Sequence, residues 1–555
     1  MNLRHSLGFA LLGATVFQLV AACGSADDKK KLTTTSSTTD AATAVTTTSS
    51  GGGEGGAGGA AGAGGVGQGG AGGAGGQGGS TATAGQGGAG GGSSGEGGAG
   101  GGSSGEGGAG GGGGSAPMGF NAIWGHHSKD SSGAEKATAL ATDSAGNVLV
   151  AGTFTGLITI AGKTVGPAAK NDIYLGKLDK DGKHLWSKQL PSLGSPAIMG
   201  VAVDASDNIV IVGRFDDELT IGNTTKLLAP NKSNTMFIAK LDPNGNAMWS
   251  RAVGDVADQQ VRDVAVDKAG NILVTGFFKG TMDFGKVGGV GNGVSISASD
   301  AFDVFLAKID GTGNPVWAKA FGGNLDQFAW SVATDATNNV AVVGSFYNSI
   351  DFGGGTFNTA DGNAFAAKFD ATGMHKWSKN MGGANFQEAR GVQFDASGDA
   401  LVAGYFQASM LLDQPITSKG EDDIFVTKIA GTNGDFKWSA SFGNKDPQRA
   451  ADLAITSTGE PIVTGYANGT LTIGATVLNG KGLSDVIAIK LSAAGMPLWA
   501  GSWGGSGVDE GVVVARGLGD QPVLAGNFTG EIDFGLGTWM AAETDLFVVK
   551  LPANP

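Results

Sequence analysis

The segment Ala265–Gly276 reads AVDKAGNILVTG, and it decides the fold of this chain. Two short apolar runs flank the polar stretch Asp267–Asn271. Asp and Asn side chains hydrogen-bond to nearby backbone in turns, and Gly270 accepts the positive φ angle that such turns require. The segment therefore predicts two antiparallel strands, over 262–267 and 272–277, joined by a tight turn.

The same segment recurs along the chain with its turn residues in register. Five further copies are recognisable and one is degenerate: ATDSAGNVLVAG (141–152), AVDASDNIVIVG (202–213), ATDATNNVAVVG (333–344), QFDASGDALVAG (393–404), AITSTGEPIVTG (454–465) and the degenerate copy at 515–526. A fixed period of this kind indicates a repeat architecture.

Two single residues recur with the same period of roughly 62 residues. One is a lysine within an apolar run: Lys177, Lys240, Lys308, Lys368, Lys428, Lys490 and Lys550. The other is a tryptophan: Trp124, Trp186, Trp249, Trp317, Trp377, Trp438 and Trp499. We expect the tryptophans to pack between neighbouring repeats. We expect each lysine to pack its alkyl stem between repeats, with its ammonium group either paired with a carboxylate or extended to solvent.

Each repeat predicts four strands and no helix. The third strand is expected over Val304–Asp310 and the fourth over Pro315–Phe321. Seven repeats of four antiparallel strands are typical of a seven-bladed β-propeller, an all-β fold.

The ends of the repeat region predict how the ring closes. The first repeat marker is Trp124, which belongs to a fourth strand, and the last is Lys550, which belongs to a third strand. We therefore expect residues 121–126 to supply the missing fourth strand of the last blade, which would remove a free sheet edge.

The repeat resembles a known family at this point. Its A-V-D-x-x-G-N segment, its third-strand lysine and the tripeptides Asp283–Gly285, Asp351–Gly353 and Asp533–Gly535 are similar to the bacterial beta-propeller repeats of the SBBP type. The resemblance covers essentially all of 120–555. It implies a propeller fold and an extracytoplasmic location, but no shared activity.

The N-terminus resembles that of a bacterial lipoprotein. Arg4 and His5 precede a short apolar run that ends at Val20-Ala21-Ala22-Cys23, and Cys23 is the one cysteine of the chain. We expect a signal peptide over 1–22 and, by the resemblance, a lipid on Cys23 that anchors an outer-membrane lipoprotein on its periplasmic or surface side. Simple secretory cleavage after Ala22 is the alternative.

Residues 23–117 predict a disordered linker between this anchor and a folded region over 118–555. Thirty-nine of the 65 residues from 51 to 115 are glycine. Such a segment has too few side chains to offset the entropy of ordering it.

Charge excludes one large class of partner. The formal net charge is −14, so the chain lacks the basic surface that nucleic acids require. No pattern predicts a metal or a cofactor, and no visible arginine cluster supports a quinone-dependent dehydrogenase. We expect a monomer.

Polar residues that precede each first strand form the candidate ligand-binding rim. Its members are Asp258, Gln259, Asp326, Gln327, Trp330, Gln387, Glu388, Asp446, Asp509 and Glu510. Carboxylates, amides and an aromatic ring suit a sugar, a cation or a peptide, whereas solvated loops are the alternative interpretation.

These features favour a non-catalytic module that binds protein or polysaccharide at the cell envelope, or acts as a scaffold there. An extracytoplasmic polysaccharide lyase or hydrolase that uses acidic rim residues is the alternative. The low histidine and arginine content of the folded region favours the first interpretation.

Overall fold

The computed structural model describes residues 120–129, 133–222, 225–286, 293–299 and 301–555. The predicted signal peptide at 1–22, the lipid site at Cys23 and the predicted linker at 23–117 lie outside the described residues. None of the described residues belongs to a helix long and apolar enough to cross a bilayer.

The described residues form strands and two single 3-10 turns, Pro230–Lys232 and Leu518–Asp520. The strands are β1 (Trp124–His127), β2 (Lys136–Thr142), β3 (Val148–Ile160), β4 (Lys163–Leu178), β5 (His184–Leu190), β6 (Ala197–Val203), β7 (Ile209–Phe215), β8 (Glu218–Ile221), β9 (Thr225–Leu228), β10 (Thr235–Leu241), β11 (Ala247–Val253), β12 (Gln259–Val266), β13 (Ile272–Phe278), β14 (Thr281–Lys286), β15 (Gly293–Ser297), β16 (Asp303–Ile309), β17 (Pro315–Phe321), β18 (Gln327–Thr334), β19 (Val340–Asp351), β20 (Thr356–Phe369), β21 (His375–Met381), β22 (Gly383–Ala384), β23 (Gln387–Phe394), β24 (Ala400–Phe406), β25 (Ser409–Leu411), β26 (Pro415–Thr417), β27 (Asp423–Ile429), β28 (Phe436–Phe442), β29 (Gln448–Ile455), β30 (Pro461–Ala467), β31 (Thr470–Ile473), β32 (Thr476–Asn479), β33 (Asp485–Leu491), β34 (Pro497–Trp503), β35 (Asp509–Arg516), β36 (Pro522–Ile532) and β37 (Trp539–Lys550).

Among the described residues, these strands form seven four-stranded sheets and four smaller sheets. The four-stranded sheets are sheet 1 (β2-β3-β4-β5), sheet 2 (β6-β7-β10-β11), sheet 3 (β12-β13-β16-β17), sheet 4 (β18-β19-β20-β21), sheet 5 (β23-β24-β27-β28), sheet 6 (β29-β30-β33-β34) and sheet 7 (β35-β36-β37-β1). The four strands predicted in the third repeat correspond to β12, β13, β16 and β17, within a few residues at each end.

The first strand of each sheet, called here the inner strand, contacts the inner strand of the next sheet. The series closes, because β35 of sheet 7 contacts β2 of sheet 1. Buried apolar side chains fill the space between neighbouring sheets, and between sheets 7 and 1 they include Val150 and Phe154 against Val523 and Val548. A closed ring of antiparallel four-stranded sheets is a β-propeller.

Sheet 7 is completed by the strand that comes first in the described chain. β1 pairs antiparallel with β37, and Trp124 lies opposite Lys550. The predicted closure of the last repeat is therefore confirmed, and β37 has a strand on both sides.

The turn that opens each repeat is built from its own aspartate. Asp267 Oδ1 accepts hydrogen bonds from the backbone N–H groups of Ala269 and Asn271, and the Asn271 side chain donates to the same carboxylate. Gly270 has a φ of 80° in this turn. In two repeats that lack this glycine, Asp207 and Asn338 take its place in the turn and also have a positive φ, 60° and 64°.

Six of the seven repeat lysines form buried ion pairs with a carboxylate of the same sheet's turn. The Nζ–carboxylate distances are 2.8 Å (Lys177–Asp143), 2.9 Å (Lys240–Asp204), 2.8 Å (Lys308–Asp267), 2.9 Å (Lys368–Asp335), 2.6 Å (Lys428–Asp395) and 2.9 Å (Lys490–Glu460). In the degenerate last repeat Gly517 replaces the aspartate. Lys550 there forms no ion pair within the described residues and donates to the carbonyl of Lys180 at 3.1 Å.

All seven repeat tryptophans link neighbouring sheets. Each indole Nε1 donates to a backbone carbonyl in the next sheet, at 3.1 Å (Trp124–Lys180), 3.2 Å (Trp186–Pro243), 3.2 Å (Trp249–Gly311), 3.4 Å (Trp317–Ala371), 3.2 Å (Trp377–Gly431), 3.0 Å (Trp438–Ala493) and 3.2 Å (Trp499–Ala553). The structural roles predicted for tryptophan and lysine are thus confirmed, with Lys550 as the exception for the carboxylate.

Candidate functional site

Every inner strand carries one β-bulge at the same position of its repeat. The register with the second strand skips one residue, which is therefore unpaired in the ladder. The seven bulged residues are Thr138, Met199, Arg262, Trp330, Arg390, Ala451 and Val512. Bulges re-aim side chains, and here all seven residues line one cavity.

This cavity has a volume of about 200 Å³ and is lined by residues of all seven inner strands. Besides the bulged residues, its wall includes Asp263, Ser331 and Asp452. Pockets for drug-sized ligands are commonly about 300–1,000 Å³. The cavity is therefore sized for one small group or one residue of a longer ligand.

Cationic and aromatic side chains alternate in a row that starts with Arg262, Trp330 and Arg390 on the cavity wall and continues beyond it. The guanidinium carbon of Arg262 lies 4.7 Å from the ring centroid of Trp330, and that of Arg390 lies 3.9 Å from it. Arg390 and Arg449 then lie 5.8 Å and 4.5 Å from the Tyr405 ring. We call these five residues the arginine–aromatic cluster. Such cation–π contacts hold the guanidinium groups in fixed places.

Two arginines of the cluster have a carboxylate partner. Arg390 Nε lies 2.5 Å from Glu388, whose carboxylate also accepts a hydrogen bond from the Tyr405 hydroxyl at 2.8 Å. Arg449 contacts Asp422 through Nε at 2.7 Å and through a terminal nitrogen at 2.6 Å. Despite burial, Glu388 and Tyr405 raise the pKa of Arg390 above its usual value.

Arg262 differs from these two. Within the described residues it forms no ion pair, and its one hydrogen bond goes to Gln260 Oε1 at 3.0 Å. Its Nε and the Trp330 Nε1 are buried donor atoms with no partner among the described residues. Burial, with Arg390 and Arg214 nearby, lowers the pKa of Arg262 to about 9, so the group remains cationic at neutral pH. The Arg262 residue is partly exposed and lines the cavity, so a bound anion could reach it and offset the cost of desolvating its charge.

Two carboxyl groups also line the cavity. Asp263 accepts hydrogen bonds from the Ser331 hydroxyl and from the Val332 N–H, both at 2.9 Å. Asp452 accepts one from the Val514 N–H at 2.9 Å. Burial raises the pKa of Asp263 to about 6 and, with Asp263 nearby, that of Asp452 to about 7. Both groups therefore change protonation near neutral pH.

The raised pKa of Asp452 predicts a pH-dependent effect of Asp452→Asn. The folded state holds this proton more tightly than the unfolded state, whose carboxyl pKa is about 4, so the site loses stability as pH rises towards 7. We expect the variant to gain about 1–3 kcal/mol of unfolding free energy relative to the wild type between pH 5 and pH 8. Urea titrations at both pH values measure the unfolding free energies of the two proteins. If the difference between variant and wild type is the same at pH 5 and pH 8, the raised pKa of Asp452 is contradicted.

The candidate rim divides into two groups in the structure. Gln259, Gln327, Gln387 and Asp509 begin their inner strands and are fully buried. Gln387 Nε2 donates to the carbonyl of Ala384, and Gln327 Nε2 donates to that of Leu325. These amides, and the Asp509 carboxylate that accepts the Gly505 N–H, hold the preceding loops in place. We therefore remove these four residues from the candidate ligand-binding set.

The other rim residues lie at or near the same end of the inner strands. Trp330 and Glu388 belong to or contact the arginine–aromatic cluster, while Asp258 and Asp326 lie in loops and accept hydrogen bonds from Gln260 and from the Phe302 N–H. Asp446 pairs with Lys445, and Glu510 is partly buried, with burial raising its pKa. The structure thus brings Trp330 and Glu388 into the candidate site.

The arginines of this cluster are not apparent from the sequence. Arg262, Arg390 and Arg449 are far apart along the chain, and they approach one another in the structure through Trp330 and Tyr405. The three arginines lie in the separate strands β12, β23 and β29, and the closed arrangement of the sheets brings them together. For Arg262 and Arg390 the available signal was a charged residue at a strand position where other repeats carry Met199, Ala451 or Val512.

Within the described residues, no group of three or more His, Cys, Asp or Glu side chains is placed to hold a metal ion. The adjacent histidines have separate partners. His126 Nε2 lies 2.7 Å from the Gly182 carbonyl, and His127 Nδ1 lies 3.4 Å from Asp545.

The chain matches no protein-family model. It is 22% identical over 483 residues to the Uncharacterized WD repeat-containing protein L264 of Acanthamoeba polyphaga mimivirus, covering 70% of this chain and 35% of that protein. It is 25% identical over 173 residues to the Regulatory protein FlaEY of Caulobacter vibrioides, covering 29% of this chain and 18% of that protein. The chain therefore spans about a third of the first relative's length (35%) and less than a fifth of the second's (18%).

Two solved structures are among those that the chain matches. The Dos1 propeller is 10% identical, with a TM-score of 0.38, and the match covers 79% of this chain and 97% of that one. Sqt1 from Chaetomium thermophilum is also 10% identical, with a TM-score of 0.40 and coverage of 78% and 99%.

Proposed function

We propose that this chain is a non-catalytic binding or scaffold module, a seven-bladed β-propeller held at the bacterial outer membrane by a lipid on Cys23. Residues 23–117 act as the linker between the anchor and the propeller, and the ligand is a protein or a polysaccharide of the cell envelope. One observation carries the binding role: seven inner strands place partly exposed polar, cationic and aromatic side chains around one cavity. The relative named for its WD repeats supports a module of this class.

Binding is tested with the full chain, purified in detergent, on a glycan array and against envelope proteins by affinity capture. We expect a ligand whose binding is weakened at least tenfold by Ala451→Phe, which fills the cavity from one bulged position. A ligand that binds this variant and the wild type equally would place the binding surface elsewhere. Absence of binding in both assays would remove the binding role.

The lipid anchor is tested by labelling cells with a radioactive fatty acid. We expect the wild type to incorporate the label and Cys23→Ala to lose it completely. Fractionation should then move the variant from the membrane to the soluble extracytoplasmic fraction. Equal labelling of the two chains would exclude a lipid on Cys23 and favour simple cleavage after Ala22.

A catalytic role remains the second candidate, and one observation favours it. Asp263 and Asp452 line the cavity with pKa values raised to about 6 and about 7, which is the range useful for general acid–base chemistry. This moves the candidate catalytic carboxyls from the rim to the cavity wall. Shortening of a bound oligosaccharide by the wild type, lost in Asp452→Asn, would establish this role over binding alone.

A further inference from the structure

We propose that the cavity recognises the carboxylate of an acidic sugar, such as a uronic acid residue at the end of an envelope polysaccharide, and that Arg262 is its anion-binding residue. This inference rests on the proposed binding function and names the ligand class. It is carried by the contrast between Arg262 and the other two arginines of the cluster.

One cation of the cluster, Arg262, forms no ion pair within the described residues, and Glu388 and Asp258 act on it only at longer range. Glu388 pairs with Arg390 and Asp422 pairs with Arg449. Arg262 donates only to the neutral Gln260 side chain within the described residues. A guanidinium group has five N–H donors in a planar fork that matches a carboxylate. Arg262 therefore retains the donors and the charge for one oxyanion.

The aromatic contact fixes where that fork lies. The Trp330 ring lies 4.7 Å from the Arg262 guanidinium carbon and 3.9 Å from that of Arg390. The side chains of Arg262 and Trp330 both line the cavity from bulged positions. Because the tryptophan ring already packs against two guanidinium groups, it is poorly placed to stack on a neutral sugar. The cluster is organised for charge recognition instead.

The rest of the wall limits the charge and the shape of the ligand. Asp263 and Asp452 are carboxyl groups on the same cavity, so a doubly charged phosphate or sulfate ester would be repelled as they ionise. Both have acceptor capacity for hydroxyl groups. A single carboxylate on a polyhydroxylated ring supplies one negative charge for Arg262 and several hydroxyl donors for the aspartates.

An acidic peptide matches this wall less well. An Asp or Glu side chain brings a carboxylate but no hydroxyl group, so only the backbone N–H groups of the peptide could donate to Asp452. The volume of about 200 Å³ also suits one sugar residue rather than a peptide segment. The chemistry of the whole cavity, rather than of the arginine alone, therefore favours the acidic sugar.

Isothermal titration calorimetry of the full chain with short oligosaccharides tests the inference. The probes are galacturonate and glucuronate oligomers, the matching neutral galactose and glucose oligomers, and a Glu-rich peptide. We expect a uronate oligomer to bind at least tenfold more tightly than its neutral counterpart, with an affinity that falls as salt is raised.

Three variants locate the site. Arg262→Gln should weaken uronate binding at least tenfold, and Arg262→Lys should recover part of the loss, because it restores the charge without the fork. Arg516→Gln is the matched control: it changes an exposed arginine of an inner strand that does not line the cavity. Ala451→Phe should abolish binding while leaving Arg262 in place.

Two sets of outcomes separate this inference from the proposed function. Equal affinity for uronate and neutral oligomers, an unaffected Arg262→Gln variant, or binding of the acidic peptide alone would overturn the acidic-sugar assignment and leave a binding module. No binding of any probe, together with no glycan or protein ligand in the broader screens, would overturn both.

Discussion

Replacing Lys308 by methionine should lower the unfolding free energy by about 3 kcal/mol, since it leaves a buried carboxylate without its cation. Lys308 Nζ lies 2.8 Å from Asp267, and the two side chains are 6% and 0% exposed. Methionine keeps most of the side-chain volume, so lost packing contributes little. In a cooperative unit of this size the change corresponds to roughly 3 °C in melting temperature, measurable by scanning calorimetry.

The degenerate last repeat supplies the matched control. Lys550 is 5% exposed but forms no ion pair within the described residues, and burial lowers its pKa. Lys550→Met removes a buried charge without creating another, so we expect it to be neutral or stabilising. Equal destabilisation by the two substitutions would show that the Asp267 pair is not the source of the effect.

Acid provides a second check on the same pair. Lys308 and the turn N–H groups outweigh burial and lower the pKa of Asp267 in the folded state. A depressed carboxyl pKa stabilises the fold above the unfolded pKa of about 4, and this contribution is lost as pH falls through the folded pKa. The difference in unfolding free energy between the wild type and Lys308→Met should therefore have its maximum value at pH 7 and become smaller below about pH 4.

A chain that starts at residue 130 should lose its cooperative unfolding transition, whereas one that starts at residue 118 should keep it. The shorter chain lacks β1, which pairs with β37 over four residues. It also lacks Phe120, whose ring lies 4.9 Å from that of Trp499. Lost apolar burial alone is worth roughly 5 kcal/mol, and the exposed edge of β37 adds a site for aggregation.

Addition of the missing strand as a peptide separates this cause from a general truncation defect. A peptide of residues 118–129 should restore the melting transition in a concentration-dependent way, as expected when a ligand binds only the folded state. A peptide with Trp124→Ala should be weaker, because it lacks the indole N–H that reaches Lys180 in sheet 1. If the truncated chain unfolds cooperatively and stays monomeric without peptide, β1 is dispensable.

The strands were predictable because the interactions that define their ends lie within a few residues of one another in sequence. The Asp267–Asn271 turn is held by hydrogen bonds within five residues, and it recurs with the same residue types. The roles of Trp317 and Lys308 followed from repetition, since seven equivalent large or charged residues need a common structural reason. The strands of the four-stranded sheets and the pairing of β1 with β37 are therefore predictable from the sequence.

The candidate site was only partly predictable because it has no local cause. Gln387 and Glu388 are adjacent in sequence and look equally polar, yet one holds a loop and the other pairs with Arg390. Successive strand residues point to opposite sides, so their difference depends on register. Arg262 and Arg390 meet at Trp330 only when three inner strands stand side by side.

The bulge shared by the inner strands would let the proposed binding site change its ligand without disturbing the strand ladders. Because each bulged residue is unpaired in the ladder, its side chain can be exchanged without altering the hydrogen bonds on either side. The seven positions already hold side chains as different as those of Val512, Trp330 and Arg390. Libraries confined to Met199, Ala451 and Val512 should therefore reshape the cavity at little cost in unfolding free energy, as urea titration would show, whereas loss of Arg390 would leave the buried Glu388 carboxylate without its cation.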